Sequence, residues 1–249
     1  MLRISALIFL GYIILGCGVG QVHSDSPPFR HDRWNSLVEK HVSEDGWVNY
    51  DGFIADSVLL NSYLDLVETH HPNQKWSITE QKAYWINAYN AFTVRLIIRN
   101  YPTESIKDLG GSLYKINTPW DIRFIMIEGQ DYDLNNIEHD ILRKQWDDPR
   151  IHFAINCASV SCPKLLNHSF SSDVLNVQLD QAARDFINDP SRNTITAERA
   201  ELSRIFKWFK GDFTKEMELW EYINQFSVVK ITADTKISFK EYDWNLNSQ

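Results

Sequence analysis

The chain of 249 residues is 43% hydrophobic and 13% aromatic, with a formal net charge of −8. That balance excludes nucleic acid and an anionic membrane surface as main partners, since both call for a basic face. Nine Trp, ten Tyr and thirteen Phe supply apolar area for one large core, and no internal repeat or low-complexity tract breaks it up.

The first residues read as an export signal. Arg3 gives a short positive start, and Ile4 to Leu15 is an apolar run interrupted only by Ser5, Gly11 and Tyr12. This is the n-region and h-region of a secretory leader, too short to span a bilayer comfortably. Two exits are open. Ile14-Leu15-Gly16-Cys17 is a lipobox, in which Cys17 is acylated and becomes the mature N-terminus, whereas Val22-His23-Ser24 suits ordinary signal peptidase. The expectation is a signal peptide over 1–24 and one globular domain over 25–249. The protein is then exported, either to the periplasm or outer membrane as a lipoprotein or as a secreted chain. It meets the membrane only through the N-terminal lipid or leader, because no later stretch approaches a spanning length of apolar residues.

Taken in order, the mature chain alternates between helical and strand-like periods. Phe29 to Val42 reads as a helix, Gly46 to Tyr50 as a short strand, and Asp56 to His70 as an amphipathic helix with Val58, Leu59, Tyr63, Leu66 and Val67 on one side. Ser77-Ile-Thr-Glu80 is a capping box opening a helix over Thr79 to Asn100, ended by Pro102. That helix is apolar on most sides, so it is expected to be central and buried. Ile122 to Ile127 and Asp131 to Leu134, joined by Glu-Gly-Gln, form a hairpin. Asn135 to Trp146 returns to helix, and Ile151 to Asn156 reads as a strand after Asp148-Pro149. Ser172 to Asn188 is a helix and Asn193 to Leu202 a second hairpin. Short helices follow over Ile205 to Lys210 and Thr214 to Gln225, with strand-like ends over Val228 to Ile231 and Lys236 to Tyr242. Helices and strands do not alternate strictly, which gives an α+β domain with a buried central helix, several surrounding helices and a small, mostly antiparallel sheet.

Signatures of phosphate loops, zinc proteases, serine hydrolases and Cys-x-x-Cys redox sites are absent. Cys157, Cys162 and a His lack any familiar zinc spacing, so no metal and no cofactor is expected. The chemistry concentrates in Arg150 to Pro163, where an apolar segment runs into a loop of small polar residues and two thiols. If Cys17 carries lipid, Cys157 and Cys162 are left as an even pair, which in an oxidising compartment invites a disulfide. Alternatively Cys157 is a nucleophile and needs a base within reach. Strand alternation would put His152 on the face opposite Cys157, so His139, on the preceding helix, is the better base. Lys207, Trp208 and Asp212 read as an ordinary amphipathic helix edge.

Several segments resemble, in order, the family called domain of unknown function 547: Ala83 to Thr93, Pro119-Trp120, Leu134 to Arg143, Arg150 to Pro163, Leu202 to Phe209 with Asp212-Phe213, and Tyr242 to Asn245. The resemblance covers roughly 75–245. It implies a family of bacterial exported and eukaryotic proteins without an established reaction, and a fold akin to papain-type or transglutaminase-type thiol enzymes. It singles out Asn87, Asn90, Glu138, His139, His152, Asn156, Cys157, Ser161 and Cys162. At Ala158 the family pattern leads one to expect Gly, and Ala resists the positive φ a tight turn there would need.

Two readings follow. In one, Cys157 attacks an amide or peptide-like carbonyl in the envelope, with His139 as base and then acid. Asn87, Asn90 or Asn156 orients the ring or holds the oxyanion, and Glu138, His152, Ser161 and Cys162 give support. In the other, the protein is a non-catalytic lipoprotein that binds or scaffolds an envelope partner, with a Cys157–Cys162 disulfide stapling the loop.

Overall fold

The computed structural model describes residues 25–109 and 118–249. The expected signal peptide and the expected lipidation site at Cys17 lie outside the described residues. The described residues form an α+β domain whose hydrophobic interior falls into two adjoining clusters.

The first cluster surrounds one long helix. Helices α1 (Asp32–His41), α2 (Tyr50–Ala55) and α3 (Ser57–Thr69) wrap α4 (Ile78–Ile98). The Ser77 hydroxyl accepts from the Glu80 amide and the Glu80 carboxylate accepts from the Ser77 amide, so the expected capping box is formed. Every residue of α4 from Lys82 to Ile97 is buried, as its all-round apolar pattern implied. The hairpin of β1 (Ile125–Ile127) and β2 (Gln130–Tyr132) turns through Glu128 and Gly129, both at positive φ.

Before α6 (Leu175–Asn188), three segments depart from the sequence expectation. Gly46 to Tyr50 makes single bridges from Val48 to Val42 and Ser248 rather than a strand, because Asn49 caps the amide of Gly52 and starts α2 early. Asn136–Leu142 is a π-helix, with widened turns, that passes into one α turn, α5 (Arg143–Gln145). Ile151 to Asn156 is not a strand. Pro149–Phe153 is a 3₁₀ turn, and the backbone beyond it is irregular. Asp148 accepts from the Arg150 amide and Pro149 presets the first turn, so the local start signal overrides the apolar run. The Asn90 side chain then takes the Ala154 carbonyl and the Asn156 amide, groups a strand would have offered to a neighbour.

The second cluster packs α6 (Leu175–Asn188) against a three-stranded sheet and short helices. Strand β3 (Thr194–Ile195) pairs antiparallel with β4 (Arg199–Leu202), and β5 (Lys236–Phe239) pairs parallel with β4. Helices α7 (Ile205–Trp208) and α8 (Lys210–Phe213) carry Phe206 and Phe213 onto Phe153, and α9 (Leu219–Phe226) brings Tyr222 against Phe213. Val228 to Ile231 is not a strand. The Asn188 side chain takes the Val228 amide, and Asn224 takes both the amide and the carbonyl of Ile231. The chain then returns to the first cluster, where Asn247 donates its amide to Ala158.

Candidate active site

The thiols lie on a loop pinned at both ends. Below it, Asn90 holds Ala154 and Asn156 at 2.9 and 2.8 Å. Across it, Asn156 accepts from the Ala158 amide (2.8 Å) and donates to the Pro163 carbonyl (2.7 Å). Above it, the C-terminal segment runs alongside, with Val160 donating to Asn245, Ser161 to Asp243, and the Asp243 amide to the Ser161 hydroxyl. Ala158 sits at φ +61°, so the left-handed turn is made without the glycine the family pattern suggested.

This loop presents two unequal sulfurs. Cys157 and Cys162 both line a cleft of about 190 Å³, Cys157 half-buried and Cys162 buried. The sulfurs are 2.9 Å apart as free thiols, and the Cys157 amide also donates to Cys162 Sγ at 2.9 Å. Ser159 Oγ lies 3.1 Å and Tyr242 Oη 3.4 Å from Cys157 Sγ. Hydrogen bonding from Cys162 leads in stabilising the Cys157 thiolate. With help from the two hydroxyls it outweighs burial and holds the thiol down at about 7. Burial, reinforced by the charge on Cys157, pushes Cys162 well above the ordinary thiol range.

The π-helix carries Glu138 and His139 into the same cleft. Burial raises the Glu138 carboxyl to about 7, with Cys157 adding to the shift, while Tyr89 Oη donates to it at 3.3 Å. His139 is lowered, first by burial and then by Arg143. Arg143 Nη1 lies 3.2 Å from His139 Nδ1, so that nitrogen accepts and the neutral ring carries its proton on Nε2. Behind it, Arg143 grips Asp212 with two bonds of 2.6 and 2.8 Å, and Asp212 accepts from His152 Nε2 at 2.7 Å. Burial opposes ionisation of Asp212, but these bonds from His152 and Arg143 hold its carboxyl far below the usual range. His152 stacks on Phe209 with ring centroids 4.0 Å apart, and burial lowers its pKa more than Asp212 raises it. Trp120, Trp208, Tyr242 and Trp244 form the rim, and Trp208 is 44% exposed.

Set against the sequence reading, the structure gathers Cys157, Cys162, Glu138, His139 and His152 around one cleft. Face alternation does not separate His152 from Cys157, because no strand is there. Among the described residues Cys157 Sγ bonds Cys162, Ser159 and Tyr242, while His139 bonds Arg143. The asparagines are braces. Asn87 both donates to and accepts from the Phe170 backbone, away from the thiols. Asn90 and Asn156 spend their amides on the loop, as Ser161 spends its hydroxyl. Asp212, Arg143, Tyr89, Ser159 and Tyr242 escaped the sequence reading as site residues. The signals were faint: Asp212 looked like a helix edge, and its partners lie 60 and 69 positions away.

No His, Cys, Asp and Glu cluster among the described residues is arranged to hold a metal ion, and no described helix is long and apolar enough to cross a membrane. Residues 73–187 match the model of a family described as "Protein of unknown function, DUF547". The chain carries a DUF547 domain. The matched residues hold α4, the hairpin, the π-helix, the thiol loop and α6. The DUF547 match stops short of Trp208, Asp212, Tyr242 and Trp244, so the aromatic rim and the carboxylate behind the histidines come largely from beyond it. No curated protein and no solved structure matches the chain, so the likeness to papain-type or transglutaminase-type folds stands on the DUF547 resemblance alone.

Proposed function

We propose that this DUF547 protein is a thiol enzyme that transfers or hydrolyses acyl groups, with Cys157 as nucleophile. One observation carries the reading: a thiol held at about 7 opens onto a cleft whose lining bears a carboxyl also at about 7. At neutral pH a large fraction of Cys157 is thiolate and Glu138 is near half-protonated, the condition under which a group serves as both acid and base. The thiolate adds to the carbonyl carbon of an amide or ester, forming a C–S bond and an oxyanion. Collapse breaks the bond to the leaving nitrogen or oxygen, which takes its proton from Glu138. Water, or a second nucleophile, then attacks the thioester while the Glu138 carboxylate accepts its proton, and Cys157 is released as thiolate. His139 has Nδ1 committed to Arg143, which leaves Nε2–H to donate to the oxyanion.

Reaction of the full chain with p-nitrophenyl acetate tests this. The expected result is a burst of p-nitrophenol with an acetyl adduct on Cys157, and Glu138→Gln should slow its decay. If Cys157 alkylates readily but takes no acyl group, acyl chemistry is ruled out and the scaffolding role remains.

The setting proposed for the enzyme is the cell envelope, supported by Arg3, the Ile4 to Leu15 run and Gly16-Cys17. Intact mass of membrane-extracted protein should show an acylated Cys17 at the N-terminus. A mature chain starting at Asp25 would keep export and reject the lipid.

A further inference from the structure

Cys162 does more than the acyl reading asks of it. Cys162 donates to Cys157 Sγ, and Ser159 Oγ and Tyr242 Oη, hydrogen-bonded to each other, lie 3.1 and 3.4 Å from the same sulfur. Placing a second sulfur at 2.9 Å invites self-oxidation, which would disable an enzyme that needed only one thiol. The loop is built to hold the sulfurs there. Cys162 donates its amide to the Ser159 carbonyl, Asn156 spans Ala158 and Pro163, and the C-terminal segment locks Val160 and Ser161. Joining the two sulfurs requires them to close by less than ~1 Å, to the S–S bond length of about 2.05 Å. The two thiols also differ in access, since both line the cleft but Cys157 is half-buried and Cys162 is buried. The cleft is walled by aromatic rings, and among the described residues its lining includes the Glu138 carboxyl but no Lys or Arg, so nothing there attracts an anionic disulfide.

We propose that Cys157 and Cys162 form a thiol–disulfide exchange couple, in which Cys157 attacks a small uncharged disulfide admitted to the cleft and Cys162 resolves the mixed disulfide. In the first step the Cys157 thiolate forms an S–S bond to one sulfur of RSSR, whose S–S bond breaks to release RS⁻. In the second, that thiolate takes the proton of Cys162, and Cys162 Sγ attacks Cys157 Sγ and expels a second RS⁻, which is protonated from water at neutral pH. With the proton first lost by Cys157 counted, the protein dithiol is oxidised by two electrons and RSSR is reduced to two RSH. The reverse reaction returns the dithiol. The inference rests on Cys157 being the nucleophile of the proposed function, but not on the acyl step. While the disulfide stands, acyl transfer is off.

The test uses reduced full-length protein, bis(2-hydroxyethyl) disulfide and 2-mercaptoethanol, with acid quenching and intact-mass measurement. Wild type should lose two hydrogens without a lasting adduct, and added 2-mercaptoethanol should return it to the dithiol. Cys162→Ser should retain one 2-mercaptoethanol adduct, located on Cys157, and Cys157→Ser should lose the ability to form it. Cys162→Ala serves the same purpose if the serine variant does not fold. An adduct that persists on wild type, or a disulfide that 2-mercaptoethanol fails to reopen, would overturn the proposal. Acylation of Cys162→Ser by p-nitrophenyl acetate separates the two claims. Exchange without acylation sinks only the acyl reading, and acylation without exchange sinks only this one.

Discussion

Around α4 and in the cleft the same kinds of residue meet opposite fates. Asn87 and Asn90 lie one turn apart on the buried stretch of α4, and each spends its amide on backbone from a distant segment. Such groups are committed to holding the fold, because an unpaired buried amide is costly. Glu138 and His139 lie on a π-helix at the seam between the two hydrophobic clusters, and they keep capacity in reserve. Glu138 receives a single 3.3 Å bond from Tyr89, and His139 accepts one from Arg143. Cys157 has the Cys162 thiol and two hydroxyls at its sulfur rather than a base bonded to it. The lesson is that polar burial alone does not mark a site. What separates brace from reactive group is whether every hydrogen-bonding position is already taken.

Changes on the α4 side should act on stability. Phe92→Ala or Ile86→Ala, each at a fully buried position, should cost about 2–5 kcal/mol in urea denaturation while leaving thiol reactivity of the folded fraction intact. Near-neutral changes would show that α4 is peripheral.

Acid should loosen the same side. Burial alone would raise the Asp148 carboxyl, but hydrogen bonds from Arg150 and Lys82 hold it at about 2. A carboxyl depressed in the folded state contributes stability above its unfolded pKa of about 3.9, and that contribution is lost as pH falls through about 2. Stability should therefore drop by roughly 2 kcal/mol between about pH 4 and pH 2 from this group, at 1.36 kcal/mol per pKa unit. Asp148→Asn should flatten that part of the urea profile. An unchanged slope would remove Asp148 from the scaffold.

A pair of alanines sharpens the contrast. Ala91→Gly in α4 should cost about 1–2 kcal/mol, through lost helix propensity and a buried methyl. Ala158→Gly should fall within about 0.5 kcal/mol of zero, because relief of the left-handed backbone, worth 1–2 kcal/mol, offsets the lost buried methyl and the greater freedom of glycine in the unfolded chain. Equal costs in urea denaturation would mean that the turn at Ala158 is unstrained.

Much of the scaffold was legible and much of the site was not, for one reason. The capping box at Ser77 and the turn at Glu128-Gly129 are local signals, and each appears where the sequence placed it, whereas α3 forms as a helix but buries Leu60, Tyr63, Leu64 and Val67 and leaves Val58 and Leu59 exposed. Ile151 to Asn156 misled because an apolar run is compatible with strand or buried loop, and the decision lay with Asn90, more than 60 positions upstream. Cys157, Glu138 and His139 drew attention by type and clustering. Asp212 and Tyr242 could not, because their meaning comes from His152, Arg143 and Cys157 across the cleft.

The most direct test of the central claim is the pH dependence of Cys157 alkylation by iodoacetamide, with the modified residue located by mass spectrometry. Wild type should show a midpoint near 7 at Cys157, with Cys162 unreactive in the folded protein. Cys162→Ser, Ser159→Ala and Tyr242→Phe should each move that midpoint up, while His139→Ala should leave it almost in place, because its ring bonds Arg143 and not the sulfur. A wild-type midpoint at the free-thiol value of about 8.5 or above would contradict the account.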